Sequence, residues 1–220
     1  LKPAWWKSLL SHVWELPVEK LHSEISGNLD ITLHRGEWKL STDNAIYSYG
    51  RYYTSYAIAF RQLGITSRPV HSVLIMGCGI GSVARLLEKH PVIKHITALD
   101  IDPVMIDLAK KYWPEKLLDK TVFVVEDAAK WVRDANDFRF DLLIADIFID
   151  DVTPSEFLDA VFLSGLKKLL SKHGLLLFSK IHYTHEQQLA NNKFKKIFLS
   201  VFPNGESLKA GHNLMMVGRR

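Results

Sequence analysis

Val73-Leu74-Ile75-Met76-Gly77-Cys78-Gly79-Ile80-Gly81-Ser82 is an apolar run that breaks into a glycine-rich turn and resumes as a helical pattern. Ala98-Leu99-Asp100-Ile101-Asp102-Pro103 follows as a second strand that ends in an acid. A strand, a glycine turn, a helix and an acid-tipped strand together hold a nucleoside at the carboxyl edge of a parallel sheet. Gly77 and Gly79 take backbone angles closed to other residues and let a ligand reach the main chain. Asp100 is placed to accept hydrogen bonds from a ribose diol.

Outward from this stretch, the chain beyond Pro69 alternates strands and helices. Strands are expected near 72–76, 95–100, 121–126, 140–146 and 174–181, and helices near 81–89, 103–112, 154–170 and 184–201. Residues 206–209 and 212–218 read as a closing hairpin with Gly211 at its turn. The expected fold is α/β: a Rossmann-like, doubly wound, mostly parallel sheet with a terminal antiparallel strand. Arg51 to Leu63 reads as a helix ended by Gly64. Before it, Leu29–His34 and Glu37–Thr42 alternate with period two around Arg35-Gly36, and Leu21–Ile25 adds a strand. The expected division is therefore 1–50, an N-terminal helix and small β-hairpin cap, and 51–220, the Rossmann-like domain. Trp5, Trp6 and Trp14 lie on a short helix within 3–16 that should pack on its own sheet or on a second subunit.

The composition is that of an ordinary globular protein, and no apolar run approaches the ~20 residues that cross a bilayer. One cysteine excludes an internal disulfide framework and fits a reducing compartment, so a cytoplasmic location is expected. Leu1 lacks both an initiator Met and a signal peptide's apolar stretch, as in a processed or trimmed start. The net charge of +4 gathers after residue 180, where Lys193, Lys195 and Lys196 alternate with Phe194, Ile197 and Phe198 as on an amphipathic surface helix.

Four carboxylates carry the candidate chemistry. Asp100 ends the second strand. Asp102 precedes Pro103 and reads first as a helix cap. Asp127, before Ala128, can accept from an adenine amino group or cap a helix. Asp146 ends the apolar strand Phe140–Ala145 beside the glycine-turn strand, with Asp150 and Asp151 close behind. Acids clustered there would attract a cationic amine and raise one another's pKa values, as a base requires. Cys78 reads as a small buried side chain, since no base stands near it in sequence. His182-Tyr183-Thr184-His185 follows the fifth strand: one member contacts substrate, or Thr184 caps a helix. The histidines show no metal-ligand spacing, so no metal is expected.

Gly77-Cys78-Gly79-Ile80-Gly81, Leu99–Pro103, Glu126-Asp127-Ala128 and Ala145–Phe148 together resemble class I S-adenosylmethionine-dependent methyltransferases, in particular the spermidine synthase-like branch. The resemblance covers about residues 28–182, with the Tyr-rich segment Tyr47–Tyr53. It implies that Gly77, Cys78, Gly79 and Gly81 approach the methionine part of the cofactor. It implies further that Asp100 and Ile101 hold the ribose, that Asp127 and Ala128 read the adenine, and that Asp146 is both cofactor contact and catalytic base. Tyr53, Asp150, Asp151, His182 and Tyr183 are the substrate-side candidates. Aminopropyltransferases of that branch carry an aspartate where this chain has Ile80, a Tyr-Gln-Glu segment where it has Tyr53-Thr54-Ser55-Tyr56, and a differently spaced second acid after Asp146. These departures favour a methyltransferase using S-adenosylmethionine on a small amine or hydroxyl substrate. Aminopropyl transfer from decarboxylated S-adenosylmethionine to a polyamine is the alternative. Asp146-Ile147-Phe148-Ile149 lacks the Asn/Asp-Pro-Pro-aromatic motif of amino-methylating nucleic-acid enzymes, so the expected partner is a small molecule, with neither nucleic acid nor membrane. A homodimer through the Trp-rich N-terminus is expected by analogy.

Overall fold

The computed structural model describes residues 3–43, 45–135, 137–149 and 151–220. A six-residue helix, α1 (Trp5–Leu10), buries none of its residues. It leads into four antiparallel strands in the order β1 (Leu16–Ser23), β2 (Gly27–His34), β3 (Glu37–Ser41) and β4 (Ile46–Tyr49). Period-two burial along β2 turns Leu29, Ile31 and Leu33 inward, where they meet Trp38 and Leu40 of β3.

A 3-10 turn at Gly50–Tyr52 and helix α2 (Thr54–Gln62) deliver the chain to the second sheet. Its elements are β5 (Ser72–Met76), α3 (Ser82–Leu87), β6 (His95–Asp100), α4 (Pro103–Tyr112), α5 (Glu115–Leu118), β7 (Thr121–Val125), α6 (Ala128–Asp134), β8 (Phe140–Ala145), α7 (Ala160–Leu169), β9 (Leu170–Ile181), α8 (His185–Val201), β10 (Glu206–Ala210) and β11 (Asn213–Arg219). The strand order is β10-β11-β9-β8-β5-β6-β7, parallel from β9 to β7 and antiparallel at β11 and β10. The mostly parallel, Rossmann-like sheet with its antiparallel end is thus present, preceded by a separate antiparallel sheet.

Buried side chains form one apolar layer on each face of the large sheet. Phe194 and Phe198 of α8 enter one of these layers, as the amphipathic pattern predicts. Lys180 of β9 is only 8 % exposed, with its Nζ over the Phe194 ring at 5.7 Å. A third cluster joins β2 and β3 to Met105, Leu108 and Tyr112 of α4, so the cap sits on the first half of the sheet.

The chain winds from β5 outward to β6 and β7, then returns to place β8 on the other side of β5. This reversal puts Met76 beside Ala145 and brings the two following residues, Gly77 and Asp146, to one crevice. Several elements depart from expectation. The helix expected over 154–170 is a 3-10 turn at Ser155–Leu158 and then α7, broken where Asp159 caps α7 through the Phe162 amide at 2.7 Å. β9 begins at Leu170 rather than near 174, and the short β4, α5 and α6 were not anticipated.

Candidate active site

A cavity of about 350 Å³ opens at the carboxyl ends of β5, β6, β7 and β8, roofed by the cap. Gly77, Cys78 and Gly79 form its floor, with Asp100, Ile101, Asp127, Ala128, Asp146, Asp151 and Tyr53 on its walls. Gly77 has φ +86, and a Cβ there would overlap the Asp146 carbonyl oxygen. Glycine is therefore required where the two strands converge. The Gly77 amide donates to the Leu99 carbonyl at 3.0 Å, and the Asp146 amide to the Met76 carbonyl at 2.9 Å. Gly81 does not line the cavity; it adopts φ +110 against Trp113 and starts α3.

Asp100 is held by two backbone donors, the Cys78 amide to Oδ2 at 2.9 Å and the Asp102 amide to Oδ1 at 3.1 Å. Burial nevertheless pushes its carboxyl up to about 6, against the pull of those amides. Each oxygen keeps a lone pair for a ligand hydroxyl. Asp102 caps α4 through the Val104 amide at 2.9 Å and accepts the Ser23 and Ser26 hydroxyls at 2.5 and 2.6 Å. The capping reading holds for it, with a second task of tying the cap to the sheet. Asp127 caps α6 through the Lys130 amide at 2.8 Å and still lines the cavity. The capping reading therefore holds, with the residue still on the cavity wall.

Asp146 stands at the switch between β5 and β8. Its Oδ2 accepts the Tyr53 hydroxyl at 3.3 Å, while its buried Oδ1 has no hydrogen-bond partner. Burial pushes this carboxyl up to about 6, tempered by the hydroxyls of Ser179, Tyr53 and Tyr56 around it. Burial and the neighbouring Asp146 in turn hold the Tyr53 phenol well above its usual range. Cys78 is 4 % exposed, and burial with the Asp100 charge pushes its thiol up, so it is a core side chain and not a nucleophile.

The remaining substrate-side candidates divide. Asp151 lines the cavity and accepts from the Gln187 side chain at 3.4 Å. Asp150 lies outside the described residues. His182 and Tyr183 fall outside the lining: the His182 ring meets the Asn191 amide at 3.1 Å, and Tyr183 packs edge-on against His212. Thr184 caps α8 in a reciprocal box with Gln187. That side of the cavity is taken by Ile181, His212 and Asn213, because β11 runs antiparallel to β9 and sets Asn213 opposite Ile181. Sequence reading also missed Ile25, Ile46 and Ser48, which the cap brings to the same wall.

Ile80 is 3 % exposed and packs with Leu29, Ile31 and Met105 in the cap cluster. It is not among the residues that line the cavity.

The polyamine aminopropyltransferase of Sulfurisphaera tokodaii is 37 % identical over 111 residues, covering 47 % of this chain and 36 % of that protein. The polyamine aminopropyltransferase of Clostridioides difficile is 33 % identical over 143 residues, covering 60 % and 50 %. The chain thus spans half or less of the length of these curated relatives. A probable spermidine synthase from Corynebacterium glutamicum superposes with a TM-score of 0.70 over 92 % of this chain and 79 % of its own, at 16 % identity, which shows a shared fold. The expectation of a methyltransferase is overturned by these relatives and by the match of residues 55–205 to the spermine/spermidine synthase domain model. On that match, which covers well over half of its length, the chain belongs to the spermine/spermidine synthase domain family.

Proposed function

We propose that the chain binds decarboxylated S-adenosylmethionine and transfers its aminopropyl group to an amine. The observation that carries this reading is the Asp146 carboxylate, buried on the cavity wall with one oxygen unpartnered. The described lining holds Asp100, Glu126, Asp127, Asp146, Asp151 and Glu156 and neither Lys nor Arg. Two like charges ~4 Å apart repel by about 4 kcal/mol in partly buried surroundings. Both forms of the donor bring an ammonium, but the one that keeps its α-carboxylate would also add an anion to this acidic wall. Membership of the spermine/spermidine synthase domain family supports the same choice.

The donor's sulfonium supplies an activated carbon, so the protein's task is alignment and removal of one proton. Asp100 receives the ribose hydroxyls, and the free oxygen of Asp127 with the Ala128 amide receives the adenine edge. The absent Cβ of Gly77 and Gly79 lets the sulfur lie against the main chain. Tyr53 donates to Oδ2 and fixes the Asp146 plane, which leaves Oδ1 for the acceptor amine. The amine nitrogen forms its bond to the propyl carbon as the carbon–sulfur bond breaks. The electron pair goes to sulfur, leaving methylthioadenosine, and the displaced proton goes to Asp146. A cytoplasmic site of action and a homodimer belong to this proposal; the single cysteine and the bare apolar face of α1 are what support them.

Calorimetry with the two forms of the cofactor, paired with mass spectrometry of amine products, tests the reading. The decarboxylated form should bind at least about tenfold tighter, and methylthioadenosine should appear with an aminopropylated amine. Equal or reversed preference without such a product would overturn it.

A further inference from the structure

Behind Asp146 the large sheet carries a polar pair inside an otherwise apolar stretch. Leu175-Leu176-Leu177-Phe178 of β9 is a run of buried apolar side chains, and Ser179 follows it at 0 % exposure. Phe178 stands opposite Ala145 in the parallel β8–β9 pair, so the next residues, Ser179 and Asp146, come side by side. From β11, the Asn213 side-chain amide donates to Ser179 Oγ at 2.8 Å. Asn213 lines the cavity and Ser179 does not. An amide on the cavity wall thus reaches a sealed hydroxyl behind the candidate base. A buried hydroxyl costs desolvation that an alanine at the same place would not, so its presence needs a reason.

A serine hydroxyl has one proton and two lone pairs. With the Asn213 amide on a lone pair, the proton is left for an acceptor. The phenols on this side spend theirs on the end of β8, Tyr53 on Asp146 Oδ2 at 3.3 Å and Tyr56 on the Ala145 carbonyl at 3.4 Å. A carboxylate outcompetes a phenol oxygen as acceptor, which directs the Ser179 proton to Asp146. No cation stands in for it: Lys180, next on β9, lies over Phe194 in the opposite layer, and the described lining holds neither Lys nor Arg. Asp100, Asp151 and His212 share the cavity with Asp146. Burial raises the Asp146 carboxyl, and Ser179 is foremost among the hydroxyls that pull it back down.

Resting on Asp146 as the base of the aminopropyl reading, we infer that Asn213 and Ser179 are positioning residues: the Asn213 amide fixes the Ser179 hydroxyl, whose proton holds the Asp146 carboxylate ready for the acceptor amine. Asn213 acts through Ser179, and Ser179 acts through Asp146. The hydroxyl favours the charged carboxylate, the form that can take a proton.

The test follows Asp146 itself, by carbon NMR of protein labelled at its aspartate carboxyls, with Asp146→Asn to identify the signal. In Ser179→Ala its pKa should rise by about half a unit or more. The acid limb of the transfer rate should move with it, so that transfer falls about threefold at pH ~5 and by less at pH ~8. Asn213→Ala, at a half-buried wall position, should shift both in the same direction, and it carries the test alone should Ser179→Ala fail to fold. The double variant should shift no further than Ser179→Ala, because one residue works through the other. An Asp146 pKa unmoved in either single variant, or shifts that add in the double variant, would overturn the inference. A lowered thermal midpoint with the pKa unmoved would reduce the pair to a staple between β9 and β11. The NMR titration needs no turnover, so a shifted Asp146 in a protein that makes no aminopropylated amine would sink the aminopropyl reading and leave the relay standing.

Discussion

Asp141 and Asp146 lie at the two ends of one strand, β8, and have opposite fates. Asp141 accepts the His71 amide at 2.9 Å, the Ser72 amide at 3.1 Å and the Ser171 hydroxyl at 2.8 Å. These donors overcome burial and hold its carboxyl below the ordinary carboxylate range. Asp146 has the Tyr53 hydroxyl at 3.3 Å, with those of Ser179 and Tyr56 nearby; they do not offset burial, which pushes it up to about 6, and Oδ1 keeps no hydrogen-bond partner. The fold completes the first acid and leaves the second incomplete. Residue type is the same, so the difference lies in what the surrounding loops donate. An acid satisfied by its own chain serves stability, and one left short is available to a ligand.

The sharpest way to break this contrast is Asp146→Asn. Transfer should fall by about 10²- to 10⁴-fold, the range for losing a positioned base, while donor binding persists. The same protein should be more stable at neutral pH by about 1–3 kcal/mol, because a buried charge has been removed. Full activity in a steady-state assay would end the base assignment. Asp141→Ala should do the reverse, costing about 2–4 kcal/mol in chemical denaturation through three orphaned donors and leaving donor affinity unchanged.

The pH dependences should also oppose one another. Because the native pKa of Asp146 is raised, its contribution to stability is present below about 4 and is lost as pH rises through about 6. Asp100, raised to the same region by burial, adds to that trend. Asp141, lowered, contributes above the ordinary carboxylate pKa and loses that contribution as pH falls through its native value. The transfer rate should therefore fall about tenfold per unit below pH ~6, while denaturation midpoints of Asp141→Ala and the unaltered protein converge in acid. A rate independent of pH from 4 to 7 would exclude Asp146 as the base. The smallest effect is expected at Cys78→Ala, where activity should stay within about twofold and stability should drop by about 1 kcal/mol for one small buried group. Loss of activity there at intact folding would revive the thiol.

The parts of this layout that sequence disclosed are those set by short-range signals. β5, β6 and β8 are apolar runs ended by glycine or acid, and α4 begins where Asp102 and Pro103 say it should. The short α6 escaped because its seven residues bury only Ala128 and Val132, too few to show a helical period. β4 escaped because Ile46-Tyr47-Ser48-Tyr49 is only four residues long and merges into a Tyr-rich segment. The floor and the acidic walls were legible, since β5 runs into the glycine turn and β6, β7 and β8 are each followed or ended by an acid at the edge. Its roof was not. Ile25 and Ile46 reach the cavity through the packing of one sheet on another, and local periodicity does not encode which faces meet. His212 and Asn213 were within reach, because a hairpin turning at Gly211 beside the fifth strand must return its tip to the same edge.

The two serine hydroxyls that Asp102 gathers fix more than a helix end. Ser23 and Ser26 bracket the turn that carries Ile25, and both are moored to Asp102, whose amide in turn donates to Asp100. The roof and the floor are thereby one rigid jaw, and the cap cannot swing as a hinged lid without breaking short, sheltered bonds.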